Sequence, residues 1–110
     1  MSKTINILGT EYIMRESCER EDSRLIGKDG FCDTSTKECV VEKMDHVEPD
    51  AKNNLLDYKN TVKRHEVIHA FLYESGLSDC SWGSNEAMVD WLAIQFPKMA
   101  KAFKELNIDR

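Results

Sequence analysis

The sequence predicts a single α+β domain over residues 1–110, with a small amino-terminal β-sheet of three to four strands packed on a long helix. A second helix and a short carboxy-terminal one follow. Three observations predict this arrangement. β-favouring residues and turn formers fill the stretch before Met44, the tract from Leu55 to Ser75 has neither proline nor glycine, and apolar residues recur at helical spacing on both sides of a Ser, Asp and Gly-rich loop. With 41% hydrophobic and 32% charged residues, the 110-residue chain has the composition of one globular core.

From Thr4 to Met14 apolar and polar residues alternate around Gly9-Thr10, which predicts two short strands or a bent one. Glu16 to Gly30 is crowded with charge and reads as a solvated loop with at most one helical turn. Phe31 to Met44 reads as a hairpin, with a turn at Asp33-Thr34-Ser35 and a second arm led by Cys39-Val40-Val41. Asp45 to Asn54 is a polar, proline-containing connector.

Leu55 to Ser75 is the longest helix, apolar on nearly every side in its later half and closed by Gly76-Leu77. Ser78 to Ser84 forms a loop, and Ser84 is a plausible N-cap for a helix with the apolar stripe Met88, Trp91 and Leu92. Pro97 disfavours helical geometry at Phe96 and suits a first helical turn, so a third helix is expected over Pro97–Leu106, docked through Phe103 and Leu106. Trp82, Trp91 and Phe96 are expected in the core, and Lys63-Arg64 in solvent.

A net charge of −5 leaves no basic face for a phosphate backbone, so nucleic acid is excluded as the expected partner. The chain contains no tract near the roughly 20 apolar residues of a membrane span, and its amino terminus lacks a signal-peptide pattern, which together predict a cytoplasmic protein. Cys18, Cys32, Cys39 and Cys80 are then expected as free thiols, since nothing points to an oxidising compartment, and Cys32 and Cys39, seven apart, also fail as the opening pair of a zinc knuckle.

The chemistry concentrates in His65-Glu66-Val67-Ile68-His69. Residues four apart share a helix face, so both imidazoles can grip one ion, and Zn2+ is the cation such sites commonly take. Glu66 adjoins the first histidine, where a carboxylate can take the proton of an attacking water and pass it to a leaving amine. A third ligand must lie downstream, because Leu72 and Ser75 stand where the longer HExxHxxGxxH pattern needs glycine and histidine. Glu86 and Asp90, four apart on the next helix, are the candidates; one can ligate while the other accepts the second ring N–H of His65. Helix geometry alone leaves open which does which.

HEVIH followed by NEAMVD resembles the gluzincin branch of zinc peptidases, the thermolysin-like enzymes, whose HExxH and NExxxD motifs lie on two helices. The resemblance implies a zincin-like fold, with Glu86 as the third zinc ligand and Asp90 orienting a histidine. The wider stretch Asp57–Leu106 is similar to small proteins of phages and mobile elements of Gram-positive bacteria that are regarded as minimal zincin-like peptidases. In zincins an edge strand often aligns extended substrate, and Cys39–Lys43, with Cys39, Val40 and Val41, is the candidate here. The larger enzymes add a histidine or tyrosine that stabilises the oxyanion; Tyr58, Tyr73 and His46 have no spacing that selects any of them.

The expected function is zinc-dependent hydrolysis of a peptide or protein substrate, with Glu66 as general base. The alternative is a zinc-bearing interaction or regulatory protein of a phage or mobile element, which keeps the site without useful turnover.

Overall fold

The computed structural model of the protein describes residues 2–45 and 54–110. Four strands, β1 (Ser2–Ile7), β2 (Thr10–Ser17), β3 (Gly30–Asp33) and β4 (Glu38–Glu42), form one sheet in the order β1-β2-β4-β3. Two helices follow, α1 (Leu55–Glu74) and α2 (Glu86–Glu105). The α+β class, the two amino-terminal strands and the later hairpin stand as the sequence indicates. The interior of the Asp45–Asn54 connector, with His46, lies outside the described residues.

β1 and β2 pair antiparallel across Leu8-Gly9, both in the left-handed region at φ 51° and 96°, the backbone of a two-residue hairpin turn. The β3–β4 turn is held by Asp33, whose Oδ1 accepts from the backbone N–H groups of Ser35 and Thr36. Alternation along the strands sends Ile5, Ile7, Tyr12, Met14, Cys32 and Cys39 into one cluster with Val67 and Ala70 of α1. On the opposite face Phe31 and Val40 are register partners, and the Arg24 guanidinium lies 4.5 Å over the Phe31 ring. Arg24 belongs to the one helical turn of the charged loop, Ser23–Leu25, whose Leu25 is buried.

The edge-strand assignment of Cys39–Lys43 is corrected. β4 pairs with β2 in parallel and with β3 antiparallel, so it is an inner strand, and Cys39, Val40 and Val41 are completely buried. The run CVV is apolar on consecutive positions because both faces of that strand are covered. The sheet's two edges are β1 and β3, and β3 is the one beside the Glu66 turn of α1.

α1 starts at an Asn54 cap, whose side chain accepts from the Asp57 N–H, and closes in a Schellman motif, with Leu77 N–H on the Leu72 carbonyl at 2.8 Å and Gly76 N–H on Tyr73. The return to α2 depends on Gly83. A Cβ there would lie 1.8 Å from the Leu77 carbonyl oxygen, so only glycine lets the loop double back this tightly. The N-cap of α2 is Asn85 rather than Ser84: Asn85 Oδ1 accepts from Met88 N–H at 3.1 Å, while the Ser84 hydroxyl donates to the Cys80 carbonyl.

The expected third helix is also corrected, because α2 runs through Pro97 without a break to Glu105. Proline removes the bond to the carbonyl four residues back, that of Ala93. Here the Arg64 Nε of α1 donates to that oxygen at 2.6 Å, which offsets the loss and places Arg64 in the helix interface rather than in solvent. Phe103 and Leu106 stay exposed instead of docking, as do Trp82, Trp91 and Phe96, which were expected in the core. Trp82 and Phe96 line an apolar groove with Ile68, Phe71 and Leu92, and the groove is open to solvent. Among the described residues no helix is long and apolar enough to cross a membrane.

Candidate metal centre

The centre lies where α1 faces the amino-terminal turns of α2. One helical turn separates His65 and His69, and their Nε2 atoms stand 3.1 Å apart. Glu86, in the first turn of α2, reaches both: Oε2 lies 3.1 Å from His65 Nε2 and Oε1 2.9 Å from His69 Nε2. Asp90, one turn further, places Oδ1 2.7 Å from His65 Nδ1. The structure thus brings His65, His69, Glu86 and Asp90 together, with Glu86 facing both imidazoles and Asp90 facing the back of one.

An ionised carboxylate can only accept, so the Asp90 contact puts the His65 proton on Nδ1 and leaves the Nε2 lone pair pointing at Glu86 and His69. Burial pulls the His69 pKa down, against the opposing pull of the Glu86 charge. Two imidazole nitrogens and the two oxygens of one carboxylate therefore lie within about one hydrogen-bond length of each other. A proton along one edge satisfies that contact, and the same donor set could hold a cation that meets both imidazoles and the carboxylate. His65, Glu66 and His69 also form a group whose ligand atoms lie within 4.8 Å of one another and could hold a metal.

Glu66 differs from its neighbours in burial, at 6% exposure against 64% for the Glu86 side chain. Among the described residues no donor reaches its carboxylate. Burial raises its pKa to about 7, with the nearby Glu86 charge adding to the rise and the His65 imidazole opposing it. A carboxyl group poised near neutrality, beside an imidazole–carboxylate cluster, suits proton transfer better than permanent ion pairing.

A cleft of about 590 Å³ opens over these groups, walled by Lys28, Gly30, Phe31 and Cys32 on the sheet side and by His65, Glu66, His69 and Glu86 on the helix side. Gly30 makes this wall close: a Cβ there would lie 2.9 Å from Val62 Cγ1 and 3.3 Å from Glu66 Cγ. Cys39, the candidate substrate contact, lies beneath the wall, with its Sγ 3.6 Å from the Glu66 carbonyl and 4.0 Å from Cys32 Sγ; all four cysteines are free thiols. Tyr58 lines the adjoining cavity beside Asp90 and donates its hydroxyl to Asp29, and Tyr73 lines the main cleft beneath the Lys37 ammonium.

Sequence reasoning missed Lys28, Gly30 and Arg64. Lys28 sits in a charged loop that carries no motif, and the close approach at Gly30 depends on a helix more than thirty residues away. Arg64 had a signal, Pro97 inside an otherwise helical pattern, but only a tertiary contact joins the two. No protein-family model, curated protein or solved structure matches the chain.

Proposed function

We propose that the chain is a minimal zincin-like, gluzincin-type metallopeptidase that binds one Zn2+ through His65, His69 and Glu86 and hydrolyses peptide bonds. The observation that carries this reading is the triangle of His65 Nε2, His69 Nε2 and the Glu86 carboxylate, with edges of 2.9–3.1 Å. Two imidazoles and one carboxylate are a usual donor set of catalytic zinc, which keeps a further position open. When bound, zinc supplies a Lewis acid that acidifies a water and polarises the scissile carbonyl.

The chain's own residues do the rest. Asp90 holds His65 in the tautomer whose Nε2 is free to ligate. Glu66, which lines the cleft beside both imidazoles, takes the proton of the attacking water and delivers it to the leaving amine. Lys28 sets positive charge on the opposite wall, and the free edge of β3 offers main-chain groups to an extended peptide.

The test measures zinc by elemental analysis and cleavage of an unfolded protein substrate. Wild type is expected to hold one zinc per chain and to cleave, His69→Ala to lose the zinc, and Glu66→Gln to keep zinc while losing cleavage. Zinc without Glu66-dependent cleavage would leave the zinc-bearing interaction protein as the better reading, and retention of zinc by both His65→Ala and His69→Ala would remove both.

A further inference from the structure

Pro97 has no N–H, so the Ala93 carbonyl lacks its helical partner, and Ala93 is completely buried where α2 faces the rest of the molecule. Arg64 fills the gap from α1. Its Nε donates to Ala93 O at 2.6 Å, and its Nη2 donates to Thr61 Oγ1 at 3.1 Å, one turn earlier on its own helix, which fixes the plane of the guanidinium.

The position of this bond gives it a second consequence. Arg64 precedes His65, while Ala93 follows Asp90 by one turn and Glu86 by two. The bond therefore joins the backbone of the carboxylate-bearing helix to the residue next to the first imidazole. Sliding α2 along its axis by a single residue moves it about 1.5 Å, enough to break contacts of 2.7–3.1 Å at the site. The imidazole–carboxylate contacts themselves cannot set this register unaided, because the side chains of Glu86 and Asp90 are 64% exposed and can follow a shifted backbone into other rotamers.

We propose that Arg64 is a positioning residue for the metal centre. By bonding the carbonyl that Pro97 leaves free, it fixes the axial register of α2 against α1 and so places Glu86 against both imidazoles and Asp90 against His65 Nδ1. The role of the metal rests on the zinc reading above; the register of the helices does not.

Wild type, Arg64→Met, Pro97→Ala and the double variant separate positioning from mere helix support. Methionine keeps an apolar stem but removes the donor. Three quantities are read: zinc Kd by competition with a chromophoric chelator, Tm of the metal-free protein, and the NMR signal of the His65 Nδ1–H in the metal-free protein. Arg64→Met is expected to weaken zinc binding about 10–100-fold, to lower Tm by several degrees and to broaden or shift the Nδ1–H signal. Adding Pro97→Ala should restore Tm, because the backbone N–H gained at that position then bonds Ala93 O, yet leave zinc affinity and the Nδ1–H signal impaired, because that new bond lies wholly within α2.

The proposal is overturned if Arg64→Met binds zinc like wild type with its Nδ1–H signal unchanged, or if Pro97→Ala restores all three quantities together. If Arg64→Met does not fold, the double variant carries the comparison. If wild type takes up no zinc, the zinc reading fails on that measurement, while the Nδ1–H signal still decides whether Arg64 sets the register.

Discussion

Glu66 and Glu74 lie two helical turns apart on α1 and meet opposite surroundings. Glu74 accepts from the Tyr12 hydroxyl at 2.7 Å, the Thr10 hydroxyl at 2.9 Å and the Lys37 ammonium at 2.9 Å, and these partners hold its carboxyl down at about 2. Glu66 is buried with no such donors, and burial lifts it to about 7. Hydrogen bonds to a charged form favour that form, and desolvation disfavours it. One carboxylate is spent tying both hairpins to the end of α1; the other is left able to gain and lose a proton at the mouth of the cleft.

The largest expected effect tests that division directly. Glu66→Gln should lower turnover about 10²–10⁴-fold with zinc retained, the usual worth of a general base. Glu74→Gln should leave turnover of the folded protein within a few-fold of wild type. Steady-state cleavage kinetics at matched zinc content measures both, and equal losses in the two variants would erase the distinction.

Gly30→Ala probes what keeps Glu66 buried. The new methyl meets Val62 Cγ1 at 2.9 Å, the Val40 carbonyl at 3.0 Å and Glu66 Cγ at 3.3 Å, so the Val62 and Glu66 side chains must shift to admit it. Overpacking of this kind costs about 1–3 kcal/mol in a denaturant melt. Turnover should fall about tenfold, because a base displaced by a fraction of an ångström transfers protons poorly. Unchanged stability would show that the wall is softer than its packing implies.

The two glutamates should also respond to pH with opposite sign. Glu74 is depressed below its ordinary 4.5, so its stabilisation is present above that value and is lost as pH falls from about 4.5 toward 2. Glu66 is raised, so in metal-free protein its contribution is present below 4.5 and is lost as pH rises through about 7. At pH 8 metal-free Glu66→Gln should therefore gain stability, on the order of 2 kcal/mol, by removing a buried charge. Glu74→Gln should lose stability near neutrality and show a flatter decline on acidification. Melting curves from pH 3 to 8 check both slopes.

Much of the fold could be read from local pattern. Alternation marked β1 and β2, the turn at Asp33 marked the β3–β4 hairpin, and Gly76 marked the end of α1. The misreadings fall where one element's fate depends on another. Cys39–Lys43 passed for an edge because β-propensity does not say which strands flank it, and here β2 arrives in parallel from more than twenty residues away. Pro97 passed for a helix start because its missing bond is supplied across the interface by Arg64. Trp82, Trp91 and Phe96 passed for core residues on aromatic character alone, although too little of the chain lies beside them to cover them.

The sequence by itself determined that His65 and His69 share a face and that Glu86 and Asp90 lie one turn apart, because the rise and rotation of a helix set spacing within it. Only the tertiary structure decided that Glu86 meets both imidazoles, that Asp90 meets Nδ1 of one, and that Glu66 is buried. Those relations depend on the register of α2 and the closeness of β3, which are set by Arg64 on Ala93, by the tight return at Gly83 and by the bare backbone of Gly30. Contacts between residues distant along the chain carry no period that a linear reading can find.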